Sequence, residues 1–315
     1  MINRKCFIIG IKGKKLSVKE IHFLKKYKPW GVILFSRNCQ NIKQIQKLTS
    51  NIKKIFKDKN YPIMIDQEGG RVNRLNNIIS LENLTSEYFG KIFIKDKKNF
   101  NISYKLFIDK ISFILKNLGI NINTVPVLDL RYKGSSKIIG NRSFSRNTKI
   151  VSDIGDLCIK YFSNNSIGTV IKHIPGHGLA KVDSHLLTPT INKSLEFLKK
   201  NDFKVFKSKK SLFAMTAHVI FKKIDPKNTV THSKKLIKII RNQIKFKNLI
   251  ISDDLSMKSL KGSIAENTKK AFNAGCNFAL HCNGNLEEMT FVAKNSPKVN
   301  SFVIKKTSEF YKKLS

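Results

Sequence analysis

The chain has 315 residues, 41% of them hydrophobic, and a formal charge of +39 from 60 Lys and Arg against 21 Asp and Glu. That length buries a large core, and no apolar run approaches the roughly 18 residues of a membrane span, which excludes a transmembrane helix. The charge invites a polyanion-binding reading, but 8 of the 60 basic residues are Arg, leaving 60 − 8 = 52 Lys. These Lys are dispersed along the chain, and Ile, Asn and Phe are also plentiful. AT-rich coding accounts for all four, so the surface reads as a solvated Lys coat and no nucleic-acid partner is expected.

The first apolar run, Phe7–Ile11, is too short for a signal-peptide core. It opens a series of short runs rich in β-formers: Gly31–Phe35, Pro62–Asp66, Asn121–Leu128, Gly168–His173, Leu212–His218, Leu249–Asp253 and Asn277–His281. Longer amphipathic stretches separate them. Ile42–Phe56, for example, puts Ile42, Ile45, Leu48, Ile52 and Ile55 on one helical face. Apolar strands alternating with helices predict a parallel sheet covered on both faces. Eight such units predict an α/β fold of the (β/α)8 TIM-barrel type. A doubly wound open sheet is the alternative, but no glycine-rich nucleotide loop follows the early strands. No linker or internal repeat divides the chain, so residues 1–315 are expected to form a single domain. Five widely spaced cysteines (Cys6, Cys39, Cys158, Cys276, Cys282) with no CxxC pair suit a reducing compartment, and a cytoplasmic protein without membrane partners is the expectation.

Polar residues stand where a barrel active site needs them, at the C-terminal ends of the strands. Asp66 ends the third run, Lys172 and His173 the fifth, His218 the sixth and Asp253 the seventh. Asp66 opens IDQEGGRVNRL, in which Gly69 and Gly70 permit a tight turn before Arg71 and Arg74. In a chain that prefers Lys so heavily, these Arg and Arg142 of IGNRSF mark positions where a planar fork is needed. An Asp beside such forks suits the hydroxyls and carbonyls of a sugar, or structural ion pairs.

The stretch IKHIPGHGLAKVDSHLLTPT holds His173, His177, Asp183 and His185. It reads as a catalytic loop, in which Asp183 orients His185 for acid/base work; as a metal site built from the four; or as a surface loop. In ISDDLSM, Asp253 directly follows the apolar strand and is the better candidate for the barrel mouth. Asp254 would support the loop or cap a helix.

IDQEGGRVNRL, IGNRSF, KHIPGHG…DSH, AHVIF and ISDDLSM together resemble, in order and spacing, the bacterial β-N-acetylhexosaminidases of glycoside hydrolase family 3. The resemblance runs from about Phe7 to Asn283. The type it is most similar to is a single-domain cytoplasmic enzyme of peptidoglycan recycling. It implies a (β/α)8 barrel and a retaining mechanism, with Asp253 as nucleophile and His185, paired with Asp183, as acid/base. It further implies substrate-binding roles for Asp66, Arg74, Arg142, Lys172 and His173, with no metal and no cofactor. The implied substrate is N-acetylglucosaminyl-β-1,4-anhydro-N-acetylmuramic acid, free or peptide-linked, and the implied state is a monomer. Thr216 departs from the pattern, standing where many relatives have Pro, and the tail beyond Asn283 matches poorly.

Overall fold

The structure, a computed structural model, describes residues 3–184 and 187–314. Eight strands carry the barrel: β1 Lys5–Gly10, β2 Pro29–Leu34, β3 Ile63–Ile65, β4 Ile122–Asn123, β5 Gly168–Ile174, β6 Phe213–Thr216, β7 Leu249–Asp254 and β8 Phe278–His281. Each pairs in parallel with its sequence neighbour, and β1 pairs with β8 to close the ring. The (β/α)8 barrel expected from the run pattern is the fold.

Because side chains alternate along a strand, the apolar residues divide into two buried sets. Phe7, Ile9, Ile63, Ile65, Ile171, Ala214 and Ile250 face the helices that wrap the barrel. Ile8, Met64, Val170, Phe213, Met215, Leu249 and Ile251 fill the interior. The helices supply one apolar stripe each; in the helix Ile42–Phe56 the buried positions Ile45, Leu48, Thr49 and Ile52 follow helical spacing, and Asn41 caps the start by accepting from Gln44 N–H. The last helix, Ser301–Leu314, closes the lower end of the barrel: Val303 and Phe310 join the interior set, and Trp30 Nε1 donates to Thr307 Oγ1 at 3.0 Å.

The interior alternation positions the site. Two residues beyond Met64 comes Asp66, two beyond Val170 comes Lys172, and two beyond Ile251 comes Asp253. The inward rows of these three strands thus turn from apolar to charged at their C-terminal ends. The fourth strand is shorter than expected, Ile122–Asn123 in place of Asn121–Leu128. Pro126 has no N–H to give a ladder. The segment still holds β5 through Val125, Pro126 and Leu128, with Leu128 N–H donating to Lys172 O at 2.8 Å. Beyond the barrel rim, Thr190–Ile191 pairs with Ile220–Phe221, tying the chain after β5 to the loop after β6. Among the described residues, no helix is long and apolar enough to cross a membrane.

Candidate active site

A cavity of about 250 Å³ opens at the C-terminal end of the strands. Its wall includes Asp66, Glu68, Arg71, Arg74, Arg142, Lys172, His173, His177, Ser184 and Asp253, with Ile33, Val72, Ile138, Ile139, Met215, Leu280 and Cys282 as apolar or thiol surface.

One side of the cavity is an ion-pair lattice. Lys172 Nζ lies 3.2 Å from Asp66 Oδ1, 2.6 Å from Glu68 Oε1 and 3.0 Å from Thr124 Oγ1, which itself donates to Asp66. Arg142 grips Glu68 with both prongs, Nε to Oε2 at 2.7 Å and NH2 to Oε1 at 2.8 Å. Arg74 donates to Asp66 Oδ2 at 3.1 Å, its guanidinium stacked over Phe35. The Lys172 and Glu68 side chains are each 3% exposed, so each charge is sustained by its counter-charges and not by water. Burial alone would raise Asp66 and Glu68. Lys172 and Arg74 override it for Asp66, holding it well below the usual carboxylate range. Arg142 and Lys172 override it for Glu68, bringing it down to about 2. Burial would lower Arg142, and Glu68 reverses that.

The opposite side belongs to β7. Asp253 accepts Asp254 N–H at 2.8 Å through Oδ1, and its own N–H points to Thr216 Oγ1 at 3.4 Å. Burial favours its protonated form, but His218, His173, the Asp254 N–H and Lys172 outweigh that and keep its carboxyl below the ordinary value. Asp254 turns the other way and supports the loop, accepting from Ser256 N–H at 3.0 Å and Cys282 N–H at 3.1 Å. His218 is fully buried and does not form part of the cavity wall. Its Nε2 donates to Asp254 O at 2.9 Å, and Nδ1 pairs with Thr231 Oγ1 at 2.7 Å.

Between the two sides lies the stretch after Lys172. Asp129, 0% exposed, accepts His173 N–H at 3.1 Å and pairs with His173 Nδ1 at 2.7 Å through one oxygen, and accepts His177 N–H at 2.6 Å through the other. The His173 ring is thereby fixed at the cavity wall. His177 Nε2 meets Ser184 Oγ at 3.0 Å. Burial, together with His173, pushes the His177 imidazole down to about 4 against the pull of Asp129 and Asp253. Arg71 donates to the carbonyls of Lys137 and Ile138, fixing the apolar wall formed by Ile138 and Ile139, and it feels the charge of Asp183.

The structure therefore brings Asp66, Arg74, Arg142, Lys172, His173 and Asp253 to one cavity, with Asp183 beside its Arg71 edge. His185 lies outside the described residues; Ser184 before it lines the cavity. Glu68, Asp129 and Thr124 were not singled out in the sequence, yet they carry the hydrogen-bond framework. Asp129 directly follows the run ending at Leu128, so the strand-end rule that picked Asp66 also points to it. Among the described residues, no group of three His, Cys, Asp or Glu is arranged to hold a metal ion.

A barrel whose mouth joins an ionised carboxylate, imidazoles and an ion-pair lattice of Asp, Glu, Lys and Arg around so small a cavity has the equipment of a glycoside hydrolase. The sequence matches the N-terminal domain of glycosyl hydrolase family 3 over residues 8–306, and the chain belongs to that family. The match extends past Asn283 into the closing helix, further than the motif resemblance reached.

Curated relatives include a β-hexosaminidase from Haemophilus influenzae, 33% identical over 284 residues, covering 88% of this chain and 79% of the relative. A β-hexosaminidase from Neisseria gonorrhoeae is 35% identical over 263 residues, covering 80% and 71%. Among solved structures, NagZ from N. gonorrhoeae in complex with N-trifluoroacetyl-D-glucosamine superposes with a TM-score of 0.82 at 28% identity, over 100% of this chain and 99% of that one.

Proposed function

We propose that the chain is a retaining β-N-acetylglucosaminidase that works through a covalent glycosyl-enzyme on Asp253. Its relatives named β-hexosaminidase, and the similar enzyme solved with an N-acylated glucosamine, support hexosaminides as substrates. The observation that carries the choice of nucleophile is the inward row of β7: Asp253 follows Ile251 on the barrel-facing side and is kept ionised by His218, His173 and Lys172.

In the first step an Asp253 oxygen attacks the anomeric carbon, the bond to the leaving oxygen breaks, and protonated His185, oriented by Asp183, gives that oxygen its proton. In the second step His185 takes a proton from water, the hydroxide oxygen bonds to the same carbon, and Asp253 departs as carboxylate. Two displacements retain the β configuration. A histidine replaces the usual second carboxylate because its ordinary pKa lies near working pH without burial. Asp66, Lys172, Arg142, Arg74 and His173 bind the sugar, with carboxylate accepting from hydroxyls and the cations donating to oxygen.

The finer reading is that the sugar is the terminal β-1,4-linked N-acetylglucosamine of anhydro-muropeptides, cleaved in the cytoplasm by a monomer during peptidoglycan recycling. The five ordered motifs support it.

The test uses a chromogenic β-N-acetylglucosaminide and Asp253→Gly. Hydrolysis is expected to fall by about a thousandfold or more. Added azide, a small anion occupying the vacated space, is expected to restore turnover and release the α-configured glycosyl azide. Undiminished hydrolysis in the variant overturns the reading. In the intact enzyme, the acid limb of kcat/KM is expected below the ordinary Asp value of about 3.9, because the Asp253 carboxyl is shifted down.

A further inference from the structure

His177 sits on a backbone that has almost no room to move. Gly176, with φ +137°, packs against Asp202, and a Cβ built on Gly178 would lie 1.8 Å from Leu130 O. Between them, His177 N–H is held by Asp129 at 2.6 Å, and the residue is 2% exposed. Its ring tilts against that of His173, with centroids 5.6 Å apart. From this fixed post Nε2 reaches Ser184 Oγ at 3.0 Å. Ser184 is itself buried, 3% exposed, and stands between Asp183 and His185 in the chain. Nδ1 of the same ring has no hydrogen-bond partner among the described residues. The contact to Ser184 is therefore the one side-chain hydrogen bond this ring makes among them. A buried imidazole with a single polar contact places high value on that contact, because losing it strands two buried polar groups.

We infer that His177 is a positioning residue: its hydrogen bond to Ser184 docks the acid/base loop against the end of β5 and so sets where the proton donor stands. The inference rests on the assignment of acid/base chemistry to the Asp183–His185 pair. His177 itself transfers no proton to substrate. Asp129 is the anchor of the same device, since one buried carboxylate fixes both the sugar-side ring of His173 and the backbone of the docking post.

The test compares two substrates whose need for proton donation differs. The 2,4-dinitrophenyl β-N-acetylglucosaminide has a leaving group that departs almost unaided; the β-1,4-linked disaccharide of N-acetylglucosamine needs its leaving oxygen protonated. Ser184→Ala removes one hydroxyl and little volume. It is expected to lower kcat/KM on the disaccharide by about tenfold to a hundredfold, a part of the full contribution of a general acid. On the dinitrophenyl substrate kcat/KM, which reports bond cleavage to the departing phenolate alone, should stay within about threefold. His177→Leu, which has no polar atom to meet Ser184, should reproduce this selectivity, and the double variant should lose no more than the worse single one, since both break one contact.

Equal losses on the two substrates, or an unchanged disaccharide rate in Ser184→Ala, overturn the docking role while leaving Asp253 chemistry standing. An intact enzyme that cleaves neither substrate removes the acid/base assignment and this inference with it.

Discussion

At the lower end of the barrel, Trp30 packs against Phe278 with ring centroids 4.4 Å apart and against Phe213 at 5.6 Å, and Phe310 closes the cluster from the last helix. At the upper end other strands of the ring, β3, β5 and β7, deliver Asp66, Lys172 and Asp253. The lower end gains stability from apolar burial, which is non-directional and tolerant of small shifts. The upper end holds buried charges that are stable only as a complete set, since each would be costly alone. A single strand such as β5, GTVIKHI, passes from one regime to the other within a few residues. The barrel thus keeps its interior aromatic cluster and its chemistry at separate ends of one ring.

The sharpest way to break this contrast is Lys172→Met, which leaves Asp66 and Glu68 facing each other without their shared cation. It should cost about 3–5 kcal/mol of stability, read by denaturant melts, and abolish measurable hydrolysis in the fraction that remains folded. Phe213→Ala at the lower end should cost a similar or slightly smaller amount, about 3–4 kcal/mol. KM and kcat per folded molecule should stay unchanged. If Phe213→Ala altered the kinetics as Lys172→Met does, the two ends would not be separable.

A pH-dependent effect is expected at Asp202, which packs against Gly176 just past the end of β5. Its Oδ2 accepts from Tyr132 OH at 2.8 Å, while Oδ1 has no partner among the described residues. Burial raises its carboxyl to about 7, with Asp129 adding and the Tyr132 hydrogen bond opposing. A raised carboxyl binds its proton more tightly in the folded chain. Its contribution is therefore present below about pH 4 and lost as pH rises towards 7. Asp202→Asn should be near neutral at pH 4 and stabilising by up to about 4 kcal/mol at pH 8, measured as a pH-dependent difference in Tm. A uniform difference across that range would assign Asp202 an ordinary titration.

The barrel was legible because its strands are short apolar runs separated by helix-length amphipathic stretches, a local signal. Strand ends were legible for the same reason: Asp66, Lys172 and Asp253 are each the first charge after an apolar row. Glu68 was not, because its partners Arg142 and Lys172 are distant in sequence and no local pattern pairs them. His218 illustrates the converse. It stands at a strand end but is buried beneath the cavity, its ring used up by Thr231 and the Asp254 carbonyl. A strand-end position therefore nominates a residue, while its hydrogen-bond partners decide whether it can reach a ligand. The fourth strand stops short of its apolar run because Pro126, which apolar content does not distinguish, interrupts the ladder.

The lattice of Asp66, Glu68, Lys172, Arg142 and Arg74 has a further consequence for how a neutral guest is received. Two carboxylates against three cations leave a single surplus positive charge, which Asp253 across the cavity cancels, while Arg71 at the edge is set against Asp183. An uncharged ring entering such a socket displaces water from groups that already solvate one another, so little dipole rearrangement accompanies its arrival. Bulk electrolyte, which alters the field of the Lys-rich exterior within a Debye length, should scarcely touch the grip of this internally neutralised socket.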